Sequence, residues 1–474
     1  MQNRKLIFIS IIILVLTTSL ACLGFGSRSI NEDDISEIVE GIAEEVVDIA
    51  EEVEEEILSD EEEGDTPPAE VTEEAESDST GGFQELVMLD NNIWIQEETT
   101  VFISFFFENP NSDLIFEDVD YTVYLYDANG NEIGSDYSFV RWIFPNQTFG
   151  IVFNYYLSED DPAVDSVTID WEYDGTIEPD GFTYPFSIDD TVFWPDEYYP
   201  MVTGRINNNN PETYTEIRVN IICYNSAGNI VGGGYSYLDF IPGEDYMGFI
   251  DYVDAFDEVA SIEVYPTFTY SSEYIEGNDF WTDISILNDN FYEGPYGSVY
   301  GGLIVQNNAE YPLEDSIVYV TFYDDAGHVT TTGYVDIDML LPGETVGVSP
   351  WVTSLPENAV TTEYDILVLP GERLTDYELT ENPFTVTSAN VTGDYDNYVT
   401  ATVTNNYSKD VTEVNVYALI YNTDGQIIGG GYDWSEAIPS NGSTDVEIWV
   451  SYSSDEVPDT FDVWVLPSYW TEFE

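Results

Sequence analysis

The side chains able to do chemistry are few in kind. One histidine, His328, and two cysteines, Cys22 and Cys223, stand beside 94 acids and 8 bases. A Ser-His-Asp relay would rest wholly on His328, and a metal set of His and Cys ligands lacks a second histidine. Carboxylate pairs of the glycosidase kind abound, so with acids at about one residue in five a pair singles nothing out. One short stretch has metal-like spacing: "DANGNE" gathers Asp127, Asn129, Asn131 and Glu132. It starts as a calcium loop does, but its twelfth position is Ser138, where an acid should close the ligand set. Asp and Asn before Gly are also what a tight β-turn selects. The expectation is a protein that is not an enzyme and needs no cofactor, with calcium as the one ion left open.

Aromatic residues are the other candidates. Tyr, Phe and Trp make up 15% of the chain. "FWPDEYYP" brings Trp194, Tyr198 and Tyr199 together, and "FYEGPYGSVY" does the same for Phe291, Tyr292 and Tyr296. Exposed beside acids and amides, such rings could stack on sugars or form a protein-binding patch. Turned inward, they would fill cores and cover junctions between neighbouring domains. Both readings stay open.

The net charge of −86 sets limits on partners. Such a surface repels nucleic acid and anionic membranes, which argues against a phosphate-binding role. It fits solubility in concentrated salt, divalent-cation binding or mutual repulsion at a cell surface.

The N-terminus gives an address. Arg4 and Lys5 precede an apolar run from Leu6 to Leu16, and "TTSLACLGFG" follows with Ala21 directly before Cys22. A charged region, an apolar region and a small-residue cleavage site read as an export signal over 1–22. "SLAC" resembles a bacterial lipoprotein signal, whose Cys becomes the lipidated first residue; Ser19 stands where that signal usually has Leu. The resemblance implies that Cys22 carries a lipid anchor. The alternative is an uncleaved anchor, since Leu6 to Gly26 is about long enough to span a bilayer. Either way the chain beyond is extracytoplasmic. Cys223 has no partner for a disulfide in the exported part and reads as a core residue.

Residues 23–82 form an acidic spacer. Ile35, Val39, Ile42, Val46, Ile49, Val53 and Ile57 recur at threes and fours, the period of an amphipathic helix over 30–58, which reads either as a coiled-coil stalk or, among like charges, as a marginal helix or a disordered acidic spacer. Residues 59–82 have too few large apolar side chains to fold.

From Phe83 onward the chain repeats. The turn glycines Gly130, Gly228, Gly327 and Gly425 are 98, 99 and 98 residues apart. An Asn turn recurs upstream at Asn109, Asn208, Asn307 and Asn405, and a Pro turn downstream at Pro145, Pro242, Pro342 and Pro439. Landmarks in one register over four copies define a tandem array with repeats at 83–180, 181–279, 280–380 and 381–474. Stretches such as "TVFISFFFE" and "SIVYVTFYD" alternate and are rich in Val, Ile, Phe, Tyr and Thr, with turn signals every 8 to 12 residues or so. Some seven short strands in about 98 residues predict an all-β chain of four tandem Ig-like sandwiches.

An Asn-rich turn, a strand ending in Leu125-Tyr126-Asp127, a turn Gly, a Gly-rich outgoing strand and Pro-Gly-Glu at Pro242 and Pro342 together resemble the FxLYD domain, a β-sandwich of prokaryotic exported and membrane-attached proteins. Asn225 and Asn422 replace the Asp in copies two and four. The resemblance implies fold and location and carries over no chemistry. Together these features lead us to expect a lipid-anchored surface protein for structural, adhesive or protein-binding duty, or else one that binds carbohydrate through exposed aromatics.

Overall fold

The computed structural model describes residues 83–474 apart from 97–99, 159–161, 197, 276–278, 376, 378, 380, 393–397, 469–470 and 474. The export signal, Cys22, the expected helix and the acidic spacer lie outside the described residues. No described helix is long and apolar enough to cross a membrane.

The described chain is all-β apart from two 3-10 turns at Asp279–Thr282 and Pro295–Gly297. Repeat one runs β1 (Val87–Gln96), β2 (Thr100–Glu108), β3 (Ile115–Tyr126), β4 (Glu132–Ile143), β5 (Thr148–Tyr156) and β6 (Ser166–Ile177). These pair antiparallel into two sheets, β1-β2-β5 and β4-β3-β6.

Repeat two runs β7 (Phe186–Trp194), β8 (Met201–Asn208), β9 (Thr213–Tyr224), β10 (Ile230–Ile241), β11 (Tyr246–Tyr252), β12 (Asp254–Ala255), β13 (Ser261–Phe268) and β14 (Tyr274–Ile275). Its sheets are β11-β8-β7 and β12-β10-β9-β13.

Repeat three runs β15 (Ile284–Glu293), β16 (Val299–Asn307), β17 (Leu313–Tyr323), β18 (Val329–Leu340), β19 (Thr345–Val348), β20 (Trp351–Val352), β21 (Glu363–Leu369) and β22 (Glu372–Arg373). Its sheets are β15-β16-β19 and β20-β18-β17-β21.

Repeat four runs β23 (Phe384–Thr392), β24 (Tyr398–Asn405), β25 (Val414–Asn422), β26 (Ile427–Trp434), β27 (Ser443–Trp449), β28 (Ser451–Tyr452) and β29 (Pro458–Pro467). Its sheets are β23-β24-β27 and β28-β26-β25-β29.

The repeated landmarks have local physical causes. Gly130, Gly228, Gly327 and Gly425 sit at φ of 79°, 79°, 86° and 78°, a region that favours glycine, at the tips of the central hairpins. The residue that opens each tip, Asp127, Asn225, Asp324 or Asn422, accepts through Oδ1 from the amides two and four residues on. The recurring Asn109, Asn208, Asn307 and Asn405 are buried. Each donates its amide Nδ2 to a carbonyl just ahead and to another where the chain leaves the facing hairpin sheet, as Asn307 does to Tyr311 O at 2.9 Å and Leu340 O at 2.8 Å. The side chain thus ties two loops together, which buried backbone carbonyls require.

Strand alternation then divides the layers. In repeat one, Val101, Ile103, Phe105 and Phe107 of β2 face Val119, Tyr121, Val123 and Leu125 of β3 in one core. The other face of β2 is also apolar: Phe102 and the partly buried Phe106 join Val152, Ile222 and Ile230 in a separate cluster between repeats one and two. The same happens further along, where Leu419, Tyr421 and Ile427 of repeat four pack with Ile304 and Trp464. The outer face of each three-stranded sheet in repeats one to three therefore packs on the outer face of the next repeat's hairpin sheet. Close approach needs glycine in the fifth main strand of each. A Cβ on Gly150 or Gly248 would clash with Ile222 or Thr321, and one on Gly347 would lie 2.5 Å from Cζ3 of Trp464.

The two terminal faces differ. On the hairpin sheet of repeat one, Asp120 pairs in register with Glu172, and Asp118 and Asp174 lie close enough to raise the Asp120 carboxyl further after burial has done so. On the last sheet, Asp445 stands opposite Thr402, at the register position that glycine holds in the other three repeats, and accepts its hydroxyl at 2.7 Å. Polar outer faces end the stacking, as capping repeats do in arrays.

Candidate functional site

Where repeats three and four meet, the strands leave a cleft of about 850 Å³. Its walls come from β18, β20 and the start of β16 in repeat three and from β25, β26 and the end of β27 in repeat four. The β20 residue Trp351 pairs across from Tyr334 of β18; 98 residues on in repeat four stand Trp449, the last residue of β27, and Tyr432 of β26, which pairs with Tyr417. Trp434 lies two residues beyond Tyr432. Trp351, Trp434 and Trp449 are 74%, 62% and 54% exposed, and among the described residues these are the exposed tryptophans. Leaving such rings in water forgoes about 1.5–3 kcal/mol each relative to burial.

The floor is polar. Asn415 is buried and donates Nδ2 to Asp338 Oδ2 at 2.9 Å. Burial, then Asp239, Asp338 and Asp315, push the neighbouring Asp336 carboxyl up to about 6. Burial also raises the Asp433 carboxyl. Tyr432 stacks on the buried Tyr417, ring centroids 6.0 Å apart. Gly430 and Gly431 keep the backbone open, since a Cβ on either would meet backbone oxygens of Ala418 or Trp449. The cleft thus offers flat apolar faces beside hydrogen-bond acceptors.

The residues singled out from sequence scatter. Trp194 and Tyr199 line a smaller groove of about 560 Å³ with Asp196, Tyr252 and the Leu355–Pro356 loop of repeat three. There Trp194 donates Nε1 to Thr203 Oγ1 at 2.9 Å, and the Asp196 carboxylate accepts from the amides of Tyr198 and Tyr199, which lowers its pKa. Tyr198 and Tyr199 are exposed. Phe291 does not fit the ligand-binding expectation: it lies in the core of repeat three against Phe322 and Tyr364. A register shift between Ile286 and Asn288 in β15 sets which of the residues beyond it face the core. Tyr292 is engaged in the junction, its hydroxyl donating to Ile428 O at 2.9 Å. Tyr296 is fully exposed on a turn at φ 66°.

The "DANGNE" residues serve the turn. Asp127 accepts from both Asn129 N and Asn131 N at 2.8 Å, and Asn131 presents Nδ2, a donor, to its other oxygen at 2.9 Å. The Asn131 side-chain and backbone hydrogen bonds hold the carboxyl down at about 2. His328 is placed alike, with Nδ1 3.2 Å from Asp324 Oδ2. Cys223 is a core residue, its thiol raised by burial to about 12.

Sequence reasoning missed Trp351, Trp434 and Trp449. For Trp351 and Trp449 the signal was periodic: four residues after Gly248, Gly347 and Asp445 come Tyr252, Trp351 and Trp449, 99 and 98 residues apart.

No known family profile matches the chain, and no curated protein matches it. Among solved structures, it is similar over 80% of its length to the native conformation of Escherichia coli alpha-2-macroglobulin, at 11% identity and a TM-score of 0.12. Over 81% of its length it is similar to dimeric latent PorU from Porphyromonas gingivalis, at 8% identity and a TM-score of 0.11. The chain spans 29% and 34% of those two proteins, about a third of each.

Proposed function

We infer that this chain is a non-enzymatic, extracytoplasmic lipoprotein that displays four Ig-like sandwiches as one stiff stack for adhesive, structural or protein-binding duty. The assignment of four sandwiches is supported by the recurring pair of sheets per repeat, one of which carries in each case a central hairpin with the same tip. Leu125, Tyr126 and Asp127 at the first tip keep the likeness to FxLYD domains. Anchoring through Cys22 is supported by the export signal before it, and the acidic spacer of 23–82 would hold the stack off an anionic membrane by like charge.

The observation that carries the reading is the direct sheet-on-sheet packing across repeats. Domains strung on a flexible linker leave their outer faces polar, whereas here Phe102, Val152 and Ile222 are buried between repeats. At that junction Arg218 of repeat two, only 4% exposed, donates Nη2 to Val152 O of repeat one at 2.5 Å and lies 5.6 Å over the Phe153 ring of repeat one. A cation held by a carbonyl and an aromatic face cannot follow a hinge without losing both.

Spin labels at Tyr137→Cys and Tyr432→Cys, both exposed, test the stack by pulsed dipolar spectroscopy, since the native Cys223 is buried. One narrow distance distribution is expected; a broad one overturns the stiff stack. Fatty-acid labelling that persists in Cys22→Ser overturns the anchor.

A further inference from the structure

We propose that the cleft between repeats three and four binds an uncharged polysaccharide, with Trp351, Trp434 and Trp449 as stacking platforms and Asp336, Asp338 and Asn415 as acceptors and donors for its hydroxyls.

The partition of tryptophans is the first ground. Trp142, Trp171, Trp194, Trp281 and Trp464 are each partly buried against core or junction. Among the described side chains, the three that are exposed all line one cleft. An exposed apolar group of this size in a single concavity marks a binding surface.

Chemistry selects the occupant. A pyranose ring carries an apolar C–H face and a rim of hydroxyls, so it needs a flat aromatic surface with acceptors at its edge. The cleft supplies both. A proline-rich peptide would use the rings but has few donors for the carboxylates beneath them. A basic peptide would use the carboxylates, yet an ammonium point charge needs no row of three indoles. An anionic polymer faces a chain of net charge −86. The matching position in repeat two, Tyr252, is also exposed, so aromatics recur at one place per repeat from the second to the fourth. Such a series suits a polymer, which can engage several sites at once and gain by effective concentration.

Binding extends the display reading above and does not depend on the anchor. The test uses the full chain in detergent, titrated calorimetrically with cellohexaose, xylohexaose, mannohexaose and chitohexaose. At least one is expected to bind, with little change between about 0.1 M and about 0.5 M sodium chloride because no ion pair is involved. Trp351→Ala and Trp449→Ala should each weaken it about tenfold or more, the loss of one stacking anchor, while Trp351→Phe retains more. Both side chains are exposed, so the melting temperature should stay put and a loss of binding is not a loss of fold. The proposal is overturned if none of the four sugars binds, or if binding survives replacement of all three tryptophans by alanine. It is equally overturned if an oligolysine or oligoproline peptide occupies the cleft in a tryptophan-dependent way and the sugars do not. A negative sugar result with a narrow spin-label distribution sinks the glycan assignment alone and leaves the stack standing.

Discussion

Gly347 lies so close beneath Trp464 that a Cβ on it would come within 2.5 Å of the indole Cζ3 and within 2.6 Å of Leu419 Cδ1. The glycine belongs to β19 of repeat three and the indole to β29 of repeat four, so this contact is where one repeat rests on the next. Gly347→Val should separate the two faces, because overpacking a tight contact costs about 1–3 kcal/mol. The expected signature is local: in calorimetry the variant's transition should split, and amide exchange should rise in β25 and β26 while β9 keeps its protection. An unchanged exchange pattern in β25 would mean that the junction does not depend on this close approach.

Asn307 is buried and meets three backbone groups, since its Oδ1 also accepts from Ala309 N at 2.8 Å. Asn307→Ala would strand two carbonyls and one amide away from water, for a cost of about 3 kcal/mol. Asn307→Asp should fare no better, because a carboxylate faces carbonyls with no hydrogen to donate. A denaturant midpoint within error of wild type for either variant would refute the loop-tying role.

Much of this was legible in the sequence because its causes are local. Turn glycines, the Asn that ties loops and the alternation of β2 or β17 are written within a few residues, and their recurrence fixed the period. The docking faces were harder to see. Gly150, Gly248 and Gly347 recur at the same spacing as the turn glycines, but a glycine in a strand says only that something is near, and what is near Gly248 is Thr321, 73 positions on. Which aromatics face out depended on strand phase. The register shift in β15 decides the side on which Phe291 falls, while Trp351 comes at the edge of a sheet that it barely joins, in a two-residue strand. Alternation counted along the chain cannot follow either break.

Acidity should stabilise the protein between pH 8 and pH 5. Burial raises the Asp251 carboxyl to about 8, and its Oδ2 is buried without a hydrogen-bond partner. The unfolded value is about 3.9. From about pH 4 to about pH 8 the folded chain therefore keeps a proton that the unfolded chain has released. The contribution is full below the unfolded value and is lost as pH rises through that window, at no more than about 1.4 kcal/mol per pH unit for each such group. Glu344, raised to about 7, and Asp336, raised to about 6, act in the same sense over narrower windows. Urea midpoints should fall from pH 5 to pH 8, and Asp251→Asn should flatten the upper part of the curve. A midpoint that climbs with pH across that range would reverse the sign assigned to these carboxyls.

The last expectation concerns salt and calcium. A net charge of −86 on a chain with 8 bases makes self-repulsion a general burden. Added salt screens it over about 10 Å at about 0.1 M, so the melting temperature should rise with sodium chloride. The hairpin tips give no reason for calcium to do more. At Asp127 one carboxylate oxygen already holds two backbone amides and the other faces the Nδ2 of Asn131, so a cation there would have to break the turn that positions its ligands. Asn225 and Asn422 make the same brackets in repeats two and four without a charge. Asp127→Asn should therefore leave the melting temperature unchanged. Calcium and sodium chloride matched for ionic strength should raise it alike. A large calcium-specific rise that a chelator reverses, and that Asp127→Asn abolishes, would make the first tip a metal site and overturn its assignment as a turn.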